Sequence, residues 1–116
     1  MNENVIVPST IDGKSVTTIT INPQSYMKTL YLNEGITLFK PWFSDTLIKN
    51  ISVPASIETI EPGIWNAPVS VAMFFEGNAP SCLGTPGGDN GIVIYRHTGS
   101  TGFDVAPWNA YPQIVY

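Results

Sequence analysis

Three stretches of this 116-residue chain carry the same spacing of apolar residues at a nearly constant interval. They read Tyr26-x-x-x-Leu30-x-Leu32, Leu47-x-x-x-Ile51-x-Val53 and Val69-x-x-x-Met73-x-Phe75. The steps from Leu32 to Val53 and from Val53 to Phe75 are 21 and 22 residues. A period of roughly 20–29 residues marks solenoids in which each unit gives one short strand to a stack. A chain of this kind displays a surface, and its repeats leave open what that surface meets.

The residues after each strand repeat too. Pro8-Ser9-Thr10-Ile11 follows Val7, Asn33-Glu34-Gly35-Ile36 follows Leu32, and Pro54-Ala55-Ser56-Ile57 follows Val53. Phe39 and Ile60 come three residues beyond Ile36 and Ile57. Pro41-Trp42-Phe43-Ser44 and Pro62-Gly63-Ile64-Trp65-Asn66 then correspond, offset by one deletion. Proline lacks an N–H and fixes φ, so Pro8 and Pro54 end their strands where they stand. A small β-sandwich also shows short strands between turns. It has no reason to repeat the return limb, so the expected fold is mostly β, a short solenoid of about four coils with parallel strands.

Strands are expected near Val5–Val7, Lys28–Leu32, Asn50–Val53, Ala72–Phe75 and Ile92–Tyr95. The inward residues should stack coil on coil into a core one repeat wide. They are Val7, Ile11, Ile19, Leu32, Ile36, Phe39, Val53, Ile57, Ile60, Trp65 and Phe75.

The opening Val5-Ile6-Val7-Pro8-Ser9-Thr10-Ile11-Asp12-Gly13-Lys14-Ser15-Val16-Thr17-Thr18-Ile19 resembles the entry segment of BspA-type (Treponema-type) leucine-rich repeats. Ile51-Ser52-Val53-Pro54-Ala55-Ser56-Ile57-Glu58-Thr59-Ile60 is similar to their internal unit. Phe75-Glu76-Gly77-Asn78-Ala79-Pro80, Ile92-Val93-Ile94-Tyr95 and Gly99-Ser100-Thr101-Gly102-Phe103, with Trp108 and Tyr111-Pro112, look like their closing unit. Two departures, Thr20 to Ser25 and Asn33-Glu34-Gly35, make the first coil the least regular. The resemblance implies modules that bind proteins or host surfaces, with Trp108 folding back over the last coil as part of a C-terminal cap. It divides a single domain, 1–116, into an entry coil (1–25), repeats (26–80), a glycine-rich loop (81–91) and a closing strand with cap (92–116).

Composition agrees with one small domain. A hydrophobic share of 43% suffices for a core, and 12% charged residues leave a surface rich in Thr, Ser and Asn. The net charge of −4 and the scattered Lys14, Lys28, Lys40, Lys49 and Arg96 argue against nucleic acid as a partner. Met1-Asn2-Glu3-Asn4 has no basic and apolar leader pattern, and no apolar run reaches the length of a membrane span.

Residues suited to chemistry are few. Cys82 is the only thiol and His97 the only imidazole, so a Cys–His nucleophile pair is formally available. Cys82 lies in a Pro-Ser-Cys-Leu-Gly loop and His97 in a turn after the last strand, which favours the reading without catalysis. Asp12, Asp45, Asp89 and Asp104 share no ligand spacing, and one His with one Cys does not complete a zinc set. Gly84 to Gly91 lacks the Gly-Lys-Ser/Thr of a phosphate loop. The expectation is no enzyme, no catalytic or metal residues and no cofactor.

Trp42, Phe43 and Trp65 occupy corresponding places on the return limb and are expected in the core. The candidate interaction surface comprises Val5, Val7, Tyr31, Ser52, Phe74, Trp108 and Tyr111. A solenoid needs its end sections covered. Met1 to Asn4 are too few to cover the strand Val5–Val7, whose edge invites another chain. Partnership with protein follows, by self-association or within a larger assembly such as a phage virion (decoration, fibre or tail protein). Localisation would be a virion or extracellular surface, reached from the cytoplasm during assembly. The alternative is a carbohydrate-binding or cell-surface adhesin module that uses Trp and Tyr platforms.

Overall fold

The structure is a computed structural model; it describes residues 4–21, 27–44, 48–62, 65–66, 70–84 and 91–116, with the backbone only at 43, 44, 65 and 66. The first coil holds β1 (Asn4–Val7), β2 (Thr10–Ile11), β3 (Lys14–Ser15) and β4 (Thr18–Ile21). The second holds β5 (Thr29–Leu32), β6 (Leu38–Pro41) and β7 (Phe43–Ser44), and the third β8 (Asn50–Val53), β9 (Thr59–Ile60) and β10 (Trp65–Asn66). The fourth begins with β11 (Val71–Phe75) and β12 (Ser81–Cys82). The chain then runs through β13 (Ile92–Arg96), a 3-10 turn at Trp108–Ala110 and β14 (Gln113–Val115).

These strands form a β-solenoid of about four turns. Its front is a six-stranded sheet in the order β1-β5-β8-β11-β13-β14, parallel throughout. Its return limb is a four-stranded parallel sheet, β4-β6-β9-β12, and β7 pairs with β10 on a third limb. The register sets like on like. Val7 faces Leu32, Leu30 faces Ile51, and Ile51 and Val53 face Met73 and Phe75. Behind them Ile19, Phe39, Ile60 and Cys82 form the matching row of the return limb. The core fills the space between the two rows, with Leu30, Ile36, Phe39, Ile51, Val53, Ile60, Met73 and Phe75 fully buried.

Hydrogen bonding continues round the turns, so the coils stay in step between sheets. Thr37 N–H donates to the Thr17 carbonyl, Glu58 N–H to Thr37 and Ser81 N–H to Glu58, at 2.8–2.9 Å. At the front corner the Glu34 carboxylate accepts from the backbone N–H groups of Ala55 (2.6 Å) and Ser56 (3.1 Å). The Ser56 hydroxyl donates to the Ile36 carbonyl and accepts from Gly35 N–H, both at 2.9 Å. One coil further on, Gly77 passes so close to Ala55 that a Cβ would sit 2.9 Å from the Ala55 Cα. Only glycine permits that approach.

Five of the six front strands, β1, β5, β8, β11 and β13, lie where the sequence places them. Val7, Leu32, Ile36, Phe39, Val53, Ile57, Ile60 and Phe75 are buried as expected, and Ile19 is half-buried against the same core. Ile11 is not: it is 56% exposed. Asp12 and Gly13 both have positive φ, 52° and 76°, and close a tight hairpin in which β2 and β3 pair antiparallel. Val16 N–H bonds back to the Ser9 carbonyl, so residues 10–15 project as an insertion. Val16, packed against the core, takes the place that Ile36 holds in the next coil.

Trp42 also departs from expectation, standing 46% exposed between β6 and β7. Its neighbour Pro41 turns inward instead, because side chains alternate along an extended limb. The side chains of Phe43 and Trp65, and residues Tyr26, Leu47, Val69 and 85–90, lie outside the described residues. Ser81 and Cys82, placed by sequence in the glycine-rich loop, form a strand on the return sheet.

Beyond β13 the front sheet gains one more strand, β14, in parallel with it. Between the two, Phe103 and Trp108 lie edge-on to Phe75, with centroid distances of 5.1 and 5.3 Å. The buried Trp108 donates its indole N–H to the Pro80 carbonyl at 2.9 Å. The Gln113 amide donates to the Phe103 and Trp108 carbonyls, tying β14 to this segment. Among the described residues no helix is long and apolar enough to cross a membrane.

Candidate interaction surface

Strand parity decides which residues the front sheet presents. Leu30, Leu32, Ile51, Val53, Met73 and Phe75 turn inward, so Thr29, Tyr31, Asn50, Ser52, Ala72 and Phe74 face out. Across the strands the register aligns Ile6, Tyr31, Ser52, Phe74, Tyr95 and Ile114 into one row that runs from edge to edge. The solvated face of a sheet is ordinarily polar. This row is apolar at every position but one.

Ser52 is the exception, a small side chain between Tyr31 and Phe74. It leaves a trough of about 330 Å³, lined by Thr29, Tyr31, Asn50, Ser52, Phe74 and Glu76. Phe74 is braced from behind, its ring stacked on Tyr95 with centroids 4.6 Å apart and planes within 17°. Above the row, Glu76 Oε2 lies 2.9 Å from His97 Nε2, and the His97 ring meets that of Tyr116 at 4.5 Å.

Of the residues singled out from sequence, Tyr31, Ser52 and Phe74 come together on this face. Val7 and Trp108 do not reach it: both are buried. Val5 is half-buried against the core, and Tyr111 packs on the opposite side, beside Cys82. In β1 the apolar residue that faces solvent is Ile6, 64% exposed, which shares the parity of Tyr31 and not that of Leu30. Sequence reasoning missed Ile6, Thr29, Asn50, Glu76, Tyr95 and Ile114. All but Ile114 could have been found by carrying the outward parity of Tyr31 through every rung.

Cys82 and His97 serve different limbs. Cys82 lies on the return sheet, where burial pushes its thiol up to about 11, away from the thiolate a nucleophile needs. His97 engages Glu76 and Tyr116 on the front. Burial, with the neighbouring Cys82 as a smaller cause, also raises Tyr111. Among the described residues no three His, Cys, Asp or Glu side chains converge as metal ligands would.

In comparisons with known proteins, no family model, no curated protein and no solved structure matches this chain.

Proposed function

We propose that this protein is a non-catalytic structural and adhesive module, similar to BspA-type leucine-rich repeats, that works by stacking with copies of itself in a larger assembly such as a virion or a surface array. The observation that carries this reading is the pair of open edges on the front sheet. Among the described residues, nothing pairs with the outer side of β1 or of β14. The Val7 carbonyl accepts from Asn33 N–H, so alternation turns the polar groups of Ile6 toward the open side. The apolar side chains at both edges stand in solvent: Ile6 on β1, and Ile114, Val115 and Tyr116 at the other end.

All six strands share one direction, so β14 of one copy can pair in parallel with β1 of the next. That contact is heterologous and extends the solenoid as a polar stack. Exposed edges of this kind are managed in proteins that stay monomeric, by charge, by proline or by a covering segment. Neither edge carries a lysine or arginine side chain within its strand.

Sedimentation velocity tests the reading. Association at micromolar concentration is expected, with a shift toward monomer on Ile6→Lys or Ile114→Lys. A wild-type chain that stays monomeric at those concentrations overturns self-stacking.

A further inference from the structure

We propose that the trough between Tyr31 and Phe74 is a binding site for one ring of a neutral carbohydrate. The proposal goes beyond the stacking reading and does not depend on it, because the trough lies mid-sheet and the stacking contacts lie at its two edges.

Width is the first argument. Tyr31 and Phe74 flank Ser52 on adjacent strands. Neighbouring strands are about 4.8 Å apart, which sets the two aromatic residues at roughly 9–10 Å. A ring held between two aromatic faces needs about 3.5–4.0 Å on either side. The trough therefore admits one ring, edge toward the Ser52 hydroxyl. Its volume, about 330 Å³, lies at the small end of ligand sites.

Lining chemistry is the second argument. The walls are aromatic, whereas the floor and both ends are polar: Ser52 below, Thr29 and Asn50 at one end, Glu76 at the other. A pyranose has the matching distribution, with C–H groups on its faces and hydroxyls round its rim. The C–H groups meet the negative faces of the aromatic rings. The hydroxyls meet an amide, two side-chain hydroxyls and a carboxylate. A purely aliphatic side chain from a protein partner would bury these polar groups without partners, at a cost. Charge selects further. Glu76 at the rim and a net charge of −4 disfavour sialylated, sulfated and phosphorylated ligands.

Preorganisation is the third. Phe74 is fixed by stacking on Tyr95, and Glu76 by His97, so little side-chain freedom is lost on binding.

The test is a printed array of neutral and acidic oligosaccharides probed with the intact chain, followed by titration calorimetry with the strongest neutral binder. The Ser52→Tyr variant fills the trough while leaving both walls in place, and tyrosine suits a strand. Circular dichroism checks that each variant is folded. Wild type is expected to bind at least one neutral glycan, with binding lost in Ser52→Tyr and at least tenfold weaker in Tyr31→Ala and Phe74→Ala. Trp42→Ala, an exposed aromatic on another limb, should leave affinity unchanged. Four outcomes overturn the proposal: no neutral glycan bound at millimolar concentration, selection of acidic glycans only, neutral binding that survives in folded Ser52→Tyr, or an apolar peptide that occupies the trough when no glycan does. Sedimentation of Ser52→Tyr should match wild type, so failure here leaves the stacking reading standing.

Discussion

The first and third coils open on similar phrases, Val5-Ile6-Val7-Pro8 and Ile51-Ser52-Val53-Pro54, and meet different fates. In the third coil Ile51, Val53 and Pro54 are buried, as are Ile57 and Ile60 on its return limb. In the first, Val5 is half-buried and Pro8 exposed, and the return limb offers the half-buried Val16, Ile19 and Ile21 with no fully buried residue among them. Hydropathy does not separate the two. Ile51 lies between Leu30 on one strand and Met73 on the next, whereas Val5 faces Leu30 alone. In a solenoid each unit is stabilised through its neighbours, so position in the stack decides what an apolar residue contributes.

A buried charge breaks the comparison most severely. Ile51→Asp places a carboxylate with no partner in a closed core, at a cost of several kcal/mol. Small domains have only about 5–15 kcal/mol in all. The variant is expected to lack β-sheet circular dichroism at room temperature, whereas Val5→Asp should fold and lose about 1–2 kcal/mol in urea titration. Equal losses would show that burial is uniform along the stack.

Truncation gives a smaller contrast of the same kind. Phe75→Ala removes a ring held by Phe103 and Trp108 and should cost about 3–5 kcal/mol. Ile19→Ala, at the half-covered end, should cost about 1–2 kcal/mol, since only part of its side chain leaves contact.

Glycine sharpens the comparison in backbone terms. Gly77→Ala forces a Cβ onto Ala55 and should destabilise by about 1–3 kcal/mol as the coils part. Gly13→Ala has open space around it in the projecting hairpin and meets only the strain of its positive φ, about 1–2 kcal/mol. Thermal melts of the two variants separate crowding between coils from local strain.

The smallest effect concerns Cys82, at the far end of the return sheet. Its raised pKa predicts slow reaction with a disulfide reagent at pH 8 in the folded chain and faster reaction once unfolded. Because the unfolded thiol ionises near 9.0 and the folded one near 11, stability should fall slightly as pH rises through that window. Equal labelling rates in both states would remove burial as the cause.

Much of this molecule is legible in its sequence for one reason: the step between rungs equals the repeat in the chain. Tyr31, Ser52 and Phe74 are separated by the same 21 and 22 residues that separate Leu32, Val53 and Phe75. The outward row could therefore be read together with the inward one. Ile11 misled because it stands four residues after Val7, as Ile36 does after Leu32, although it belongs to an inserted Asp12-Gly13 hairpin and Val16 carries on in its place. Val5 and Val7 misled through parity, since a shift of one residue moves every side chain to the other face.

The order of strands, their direction and the identity of the stacked core follow from apolar periodicity, because a thin core is satisfied only when equivalent residues meet. Three things rest on the assembled coils alone. β14 joins the front sheet through contacts that Gln113 makes with residues 5 and 10 positions earlier and through its pairing with β13, outside any repeat. Trp42 faces solvent because Pro41 takes the inward place beside it. The trough exists because one small residue falls between two large ones on adjacent strands, a relation of size across space that no periodicity of hydropathy encodes.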